Sequence, residues 1–137
     1  MLAQEQLFLK IGQISAKIGV PIKTIRYYEE LGLLKACGRT EGHFRLFHPA
    51  SVTRLAFIKR LQSLGLSLQE IGECLAVYDH GDLPCSDIQN KLVQQVAEIE
   101  RKIDELMLLR RELTDILQTW TSSPQKQLGS ICPNLQV

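Results

Sequence analysis

Along the first eighty positions apolar residues recur at the three-to-four spacing of short helices, and beyond them they continue in one much longer stripe. Ile11, Ile14 and Ile18 fall one turn apart and Gly19 follows as a stop, which predicts a first helix. Pro21 opens a second, in which Ile22, Ile25 and Tyr28 or Glu29 lie about a turn apart until Gly32 ends the run. Two short helices joined around Gly19-Val20-Pro21 make the pattern of a helix-turn-helix. After Leu33-Leu34 the period changes. A turn signal at Thr40-Glu41-Gly42 precedes the alternating, aromatic-rich His43-Phe44-Arg45-Leu46-Phe47, which predicts a small β-hairpin, or wing. Ser51 stands where it could cap a third helix carrying Val52, Leu55, Ile58 and Leu61 and closed by Gly65. Ser67-Leu68-Gln69-Glu70 has the form of a capping box and opens a fourth helix that runs to about Tyr78.

The segment Asp79-His80-Gly81-Asp82-Leu83-Pro84 reads as a hinge. From Ser86-Asp87-Ile88-Gln89, a second capping-box pattern, a helix free of internal Pro and Gly runs to about Trp120. Its length is roughly 50 Å at the helical rise. Ile88, Leu92, Val96, Ile99, Ile103, Leu106, Leu113 and Leu117 form a seam, interrupted by Arg110 and flanked by Glu98, Glu100, Arg101, Lys102, Asp104 and Glu105. A stripe of that length exceeds what so small a head can cover, so a second copy of the chain is the simplest partner. A helix packed inside a monomeric bundle is the alternative, and the tail has no other helix long enough to build one. The expected architecture is mainly α: a winged helix-turn-helix head over residues 1–80, a dimerisation helix over 81–120 in an antiparallel coiled coil, and a C-terminal loop over 121–137.

Charge sharpens this picture. The overall net charge is only +1, but Phe8–Gly65 holds ten Lys or Arg against three acids, a net +7. From Leu66 onward six bases face eleven acids, a net −5. A basic first half is the footprint of a surface that meets phosphates, and a solvated charged face is the plainer alternative. No apolar run approaches the ~20 residues of a membrane span, and MLAQEQLFLKIGQ lacks the basic-then-apolar layout of a signal peptide, so a cytoplasmic protein is expected. The four cysteines, Cys37, Cys74, Cys85 and Cys132, are scattered and suit core packing, redox chemistry or metal ligation better than a disulfide framework. His43, His48 and His80 stand apart from one another, and with no phosphate loop, nucleophile elbow or paired carboxylates an enzyme is not expected.

The second helix reads Thr24-Ile25-Arg26-Tyr27-Tyr28-Glu29-Glu30-Leu31-Gly32-Leu33-Leu34, which resembles the recognition-helix signature of the MerR family of transcriptional regulators. The resemblance continues through Phe44-Arg45-Leu46-Phe47, Val52-Thr53-Arg54-Leu55-Ala56-Phe57-Ile58 and Leu64-Gly65-Leu66-Ser67-Leu68-Gln69-Glu70-Ile71. It reaches Val96-Ala97-Glu98-Ile99-Glu100-Arg101-Lys102-Ile103, where it looks most like the metal-sensing branch. It spans about Phe8 to Cys132. It implies a homodimer that distorts double-stranded promoter DNA so that RNA polymerase holoenzyme can use it, with deformation of the duplex as the switch. Arg26 suits charge-assisted bonds to phosphates or guanine edges, and the hydroxyls of Thr24, Tyr27 and Tyr28 suit phosphates. Ordinary core packing is the plainer reading, and at least one of the two tyrosines is expected to be core, since this short helix must also bury a face. Arg39, His43 and Arg45 surround the hairpin tip, where they could reach flanking backbone, with Lys23 and Arg54 as further candidates. His43 stands where the family often carries glycine.

The resemblance also implies an effector bound between subunits, by a cysteine at the start of the dimer helix and cysteines in the loop after it. Cys85 and Cys132 match two of those positions, whereas Trp120 stands where the first loop cysteine would be, and the loop that follows is longer. Two thiolates suit a soft cation such as Hg(II), the favoured ion, or Cu(I), Cd(II), Pb(II) or Zn(II). A tetrahedral Zn(II) site would need additions such as His80, Asp82 or water. The alternatives are thiols that bind nothing or respond to oxidation, or a small apolar effector near Trp120.

Overall fold

The computed structural model describes residues 8–135. Helix α1 (Ile11–Ile18) ends where Gly19 adopts φ 76° and donates its N–H to Ser15 O at 2.8 Å, a left-handed stop that a residue with a Cβ would resist. The chain restarts at once. The Pro21 carbonyl accepts from Thr24 N at 3.0 Å and Ile25 N at 3.1 Å, so α2 (Ile22–Glu30) follows α1 within a few residues as a helix-turn-helix requires. Gly32, at φ 78°, closes α2 as Leu33 N reaches back to Tyr28 O at 2.9 Å.

The wing is larger than its hairpin. Strands β1 (Leu9–Lys10), β2 (Gly38–Arg39) and β3 (Arg45–Phe47) form one antiparallel sheet in the order β1-β3-β2, with Leu9 opposite Phe47 and Gly38 opposite Leu46. Two-residue β1 carries no alternation that could be seen locally; it is a strand because β3 pairs with it. The predicted cap at Ser51 needs correction. Helix α3 (Ala50–Ser63) starts with Pro49 at its cap, His48 Nδ1 accepts from Ala50 N at 3.0 Å, and Ser51 is buried inside the first turn. At α4 (Leu68–Asp79) the expected capping box is present: Ser67 Oγ accepts from Glu70 N at 3.1 Å while Glu70 Oε1 accepts from Ser67 N at 3.0 Å. That backbone bond is the main cause holding the Glu70 carboxyl below its ordinary pKa.

Ile14, Ile25, Phe47, Leu55, Ile58, Ile71 and Cys74 are the largest fully buried side chains, so the core joins α1 to α4 with the underside of the sheet. Helix α5 (Cys85–Gln118) begins one residue before the predicted cap Ser86; Ile88 N donates to Pro84 O at 2.9 Å, and Ser86 lies exposed in the first turn. The chain divides into two compact units that part between Leu92 and Val93. Within the first unit, Ile88 and Leu92 pack against the head core and Lys91 Nζ pairs with Glu73 Oε2 at 2.6 Å. The first two residues of the predicted seam therefore belong to the head, which covers more of the stripe than its size suggests. Within the second unit the rest of the stripe is half or more exposed, from Val96 (56%) to Leu117 (65%).

Candidate nucleic-acid interface and thiol sites

Burying Ile25 and Tyr28 fixes the rotation of α2 and turns Lys23, Arg26 and Tyr27 outward, with Thr24 half-buried beside them. Among the described residues neither Lys23 nor Arg26 enters an ion pair, so both cations are available to an anionic partner. The two tyrosines divide the work expected of both. Tyr27 is 50% exposed, whereas Tyr28 is 6% exposed and its hydroxyl donates to Gln62 Oε1 at 2.6 Å. Tyr28 is thus the core member of the pair, with a satisfied polar end, and Tyr27 is the one that faces outward.

Arg54 is redirected in the same way. Its Nε donates to Leu33 O at 2.5 Å, and Nη1 and Nη2 grip Asp79 Oδ1 and Oδ2 at 2.7 and 3.0 Å. Three parts of the head meet there: the segment that follows α2, the second turn of α3 and the end of α4. The guanidinium hydrogen bond holds the Asp79 carboxyl below its ordinary pKa. With its donors engaged, Arg54 acts as an internal brace.

At the wing, Thr40 N donates to Phe44 O at 2.8 Å and His43 N to Thr40 O at 2.9 Å, which closes a three-residue loop over Glu41, Gly42 and His43. The last position of such a loop is left-handed, and His43 takes it at φ 64°, the one positive φ of a non-glycine residue among those described. Histidine is tolerated there at a cost of about 1 kcal/mol. Replacing His43 with Gly should therefore raise the stability of the head by up to ~1 kcal/mol, part of it offset by glycine's larger unfolded-state entropy. Thermal unfolding measures this; a lowered midpoint would mean that the imidazole makes contacts worth more than the strain.

Arg39 is exposed on β2, while Arg45 on β3 pairs through Nε with Glu29 Oε2 at 3.0 Å, tying the wing to α2. Arg39, Arg45 and Lys35 line an open groove with Glu29, so the gap between wing and α2 is mainly cationic. Lys10, which sequence reasoning did not single out, joins this surface: its Nζ lies 5.6 Å from the centre of the Phe44 ring, itself 61% exposed. Only the pairing of β1 with β3 brings Lys10 there, so no local pattern could have found it. Lys59 was also missed; its Nζ donates to Ile18 O at 3.1 Å and covers the end of α1.

The cysteines separate by environment. Cys74 is fully buried, and burial pushes its thiol pKa up, as for an inert core residue. Cys37 is exposed and its Sγ donates to Leu46 O at 3.4 Å. Cys85 is exposed in the first turn of α5, in the first unit. Cys132, in the second unit, is half-buried and starts a turn closed by Leu135 N on its carbonyl at 3.0 Å. Two residues on, the Asn134 side chain bonds both main-chain groups of Thr121: Oδ1 accepts from Thr121 N at 2.7 Å and Nδ2 donates to Thr121 O at 2.9 Å. Trp120, just before, is 45% exposed. No group of three or more His, Cys, Asp or Glu is gathered for a metal among the described residues, His80 and Asp82 included. No described helix is long and apolar enough to cross a membrane.

Comparison with known proteins agrees with this geometry. The profile described as "MerR HTH family regulatory protein" matches residues 9–77, and that described as "MerR, DNA binding" matches residues 52–116. The chain is 41% identical over 107 residues to the mercuric resistance operon regulatory protein of Bacillus cereus, covering 78% of this chain and 81% of that one. Among solved structures it is similar to the transcription regulator PbrR691 from Ralstonia metallidurans CH34 in complex with lead(II), with a TM-score of 0.72, 34% identity and coverage of 85% and 91%. It is likewise similar to the dual-function regulator MerR from Bacillus megaterium MB1 in complex with mercury(II), with a TM-score of 0.61, 34% identity and coverage of 81% and 85%.

Proposed function

The chain belongs to the MerR family of helix-turn-helix transcriptional regulators, and from that premise we propose that it works as a homodimer that reshapes promoter DNA when it takes up a soft metal ion. The head reads double-stranded DNA with Lys23, Thr24, Arg26 and Tyr27 on α2, while Arg39, His43 and Arg45 of the wing hold the flanking backbone. Functional parts follow the division into residues 1–80, 81–120 and 121–137. The exposed stripe of α5 pairs the two copies in an antiparallel coiled coil, which sets two cationic heads on successive turns of the duplex.

Cys85 and Cys132 supply the thiolates, drawn together across the dimer. The observation that carries this reading is the pairing of an exposed cysteine in the first turn of a long helix with relatives named for mercury and lead. Hg(II) is the favoured ion; Cu(I), Cd(II) and Pb(II) share the donor preference, and Zn(II) fits least. Binding twists or bends the promoter into a form that RNA polymerase holoenzyme can use.

The test joins footprinting to Hg(II) titration with a DNA-distortion readout. We expect a symmetric protected site, a change in DNA conformation on adding Hg(II), and loss of that change in Cys85→Ser or Cys132→Ser with DNA affinity retained. An asymmetric footprint, or DNA indifferent to the ion, would overturn the mechanism. A full Hg(II) response in both serine variants would take the ion's site away from these two thiols, whereas a response to an oxidant or to a small apolar molecule in place of Hg(II) would assign the effector to that class.

A further inference from the structure

The second unit holds a loop that is neither helix nor strand yet is closed at both ends. Residues 121–134 leave the end of α5 and return to Thr121, where the Asn134 side chain bonds the main chain. The Asn134 carboxamide presents an acceptor and a donor side by side, the arrangement a neighbouring strand would offer, and both meet Thr121: Oδ1 to its N–H at 2.7 Å and Nδ2 to its carbonyl at 2.9 Å. The turns at Gln127–Ser130 and Cys132–Leu135 are local, each spanning three residues, whereas the Asn134 pair spans thirteen. The apolar side chains of Leu128 and Ile131 are fully exposed and that of Leu135 is 54% exposed, so these three add little to closure.

We propose that Asn134 is a positioning residue for Cys132: by clamping Thr121 it holds the loop shut in the metal-free protein and fixes the thiol near the end of α5 before an ion arrives. The inference rests on the reading of Cys132 as a ligand. Its physical content is preorganisation. A thiolate on an open loop of this length would lose loop freedom on binding, and a loop already closed has lost it in advance. Two hydrogen bonds of ordinary net strength set the effect at about tenfold in affinity. Asn134→Asp keeps the acceptor for Thr121 N–H but sets a second oxygen against the Thr121 carbonyl, so it should retain only part of the closure. Asn134→Ala keeps none.

Two measurements on the full-length protein test this. In the metal-free state, the Thr121 amide should exchange slowly with solvent and the Asn134 side-chain NH2 should show a shifted, protected NMR signal. Asn134→Ala should return Thr121 to rapid exchange while the head's thermal midpoint stays unchanged. A Thr121 amide as exposed in the parent as in the variant would overturn the proposal. In competition with a thiol chelator, Hg(II) binding should weaken about tenfold in Asn134→Ala and less in Asn134→Asp. Loss of binding in Cys132→Ser with unchanged binding in Asn134→Ala would overturn the positioning role alone. Unchanged binding in Cys132→Ser would overturn the ligand reading and the positioning role together, whatever the exchange data show.

Discussion

Replacing Ile99 and Ile103 with glutamate should convert the protein to single subunits and remove operator binding at concentrations where the parent is saturated. Both side chains are about half exposed in the isolated chain, Ile99 at 51% and Ile103 at 50%, and both lie on the stripe that continues through Leu106 (64%) and Leu113 (52%). A patch of that extent on a soluble protein marks an interaction site. Glutamate is a good helix former, so α5 stays helical and only the chemistry of its face changes. A two-fold dimer loses four isoleucines from its interface and gains four carboxylates. At ~1.5 kcal/mol for each lost side chain the dissociation constant rises by about four orders of magnitude before any repulsion is added. A single head then forfeits the gain of two-site binding, a further ~100-fold. The surface pairs of Arg101 with Glu98 and Glu105 cannot compensate, because exposed pairs along one helix are worth only a few tenths of a kcal/mol. Sedimentation velocity and a DNA titration measure the two effects. A variant that sediments as the parent does would show that this stripe is covered by something other than a second copy.

Periodicity made the helices legible because each is amphipathic against one core and punctuated by glycine or proline. The stops at Gly19 and Gly32, the restart at Pro21 and the box at Ser67 and Glu70 are local chemistry, and local chemistry can be read from neighbours in sequence. What stayed hidden depends on contacts between distant residues. Strand β1 exists through its pairing with Phe47 and Leu46, and Lys10 reaches the wing only through that pairing. Ser51 and Ser86 look like caps in sequence, but each helix begins one residue earlier, with prolines supplying the first turn's geometry. In the candidate interface, residue type identified the basic positions, yet type cannot tell a free arginine from an engaged one. Arg54 and Tyr28 carry the same groups as Arg26 and Tyr27; Asp79, Leu33 and Gln62 occupy them. Asn134, a lone asparagine in a polar loop, carries no sequence pattern at all.

That difference between the two arginines sets the second large prediction. Arg26→Ala should weaken operator binding by ~30-fold to ~10,000-fold in the dimer, because a guanidinium on a base edge or phosphate contributes ~1–3 kcal/mol and the two-fold axis counts it twice. The fold should be indifferent, since the side chain is exposed and makes no ion pair among the described residues. Arg54→Ala should do the reverse. It strips the Leu33 carbonyl of a donor and leaves Asp79 without its bidentate partner, so unfolding becomes easier while the affinity of the folded dimer for DNA changes little. Salt dependence separates the two further: if Arg26 meets a phosphate, the slope of log affinity against log salt should fall by about one per subunit in Arg26→Ala and stay constant in Arg54→Ala. Anisotropy titrations at several salt concentrations, paired with denaturant melts, read both. Equal losses of affinity with equal losses of stability in the two variants would mean that Arg26, too, holds the head together, and the recognition face would then have to be sought elsewhere on α2 and the wing.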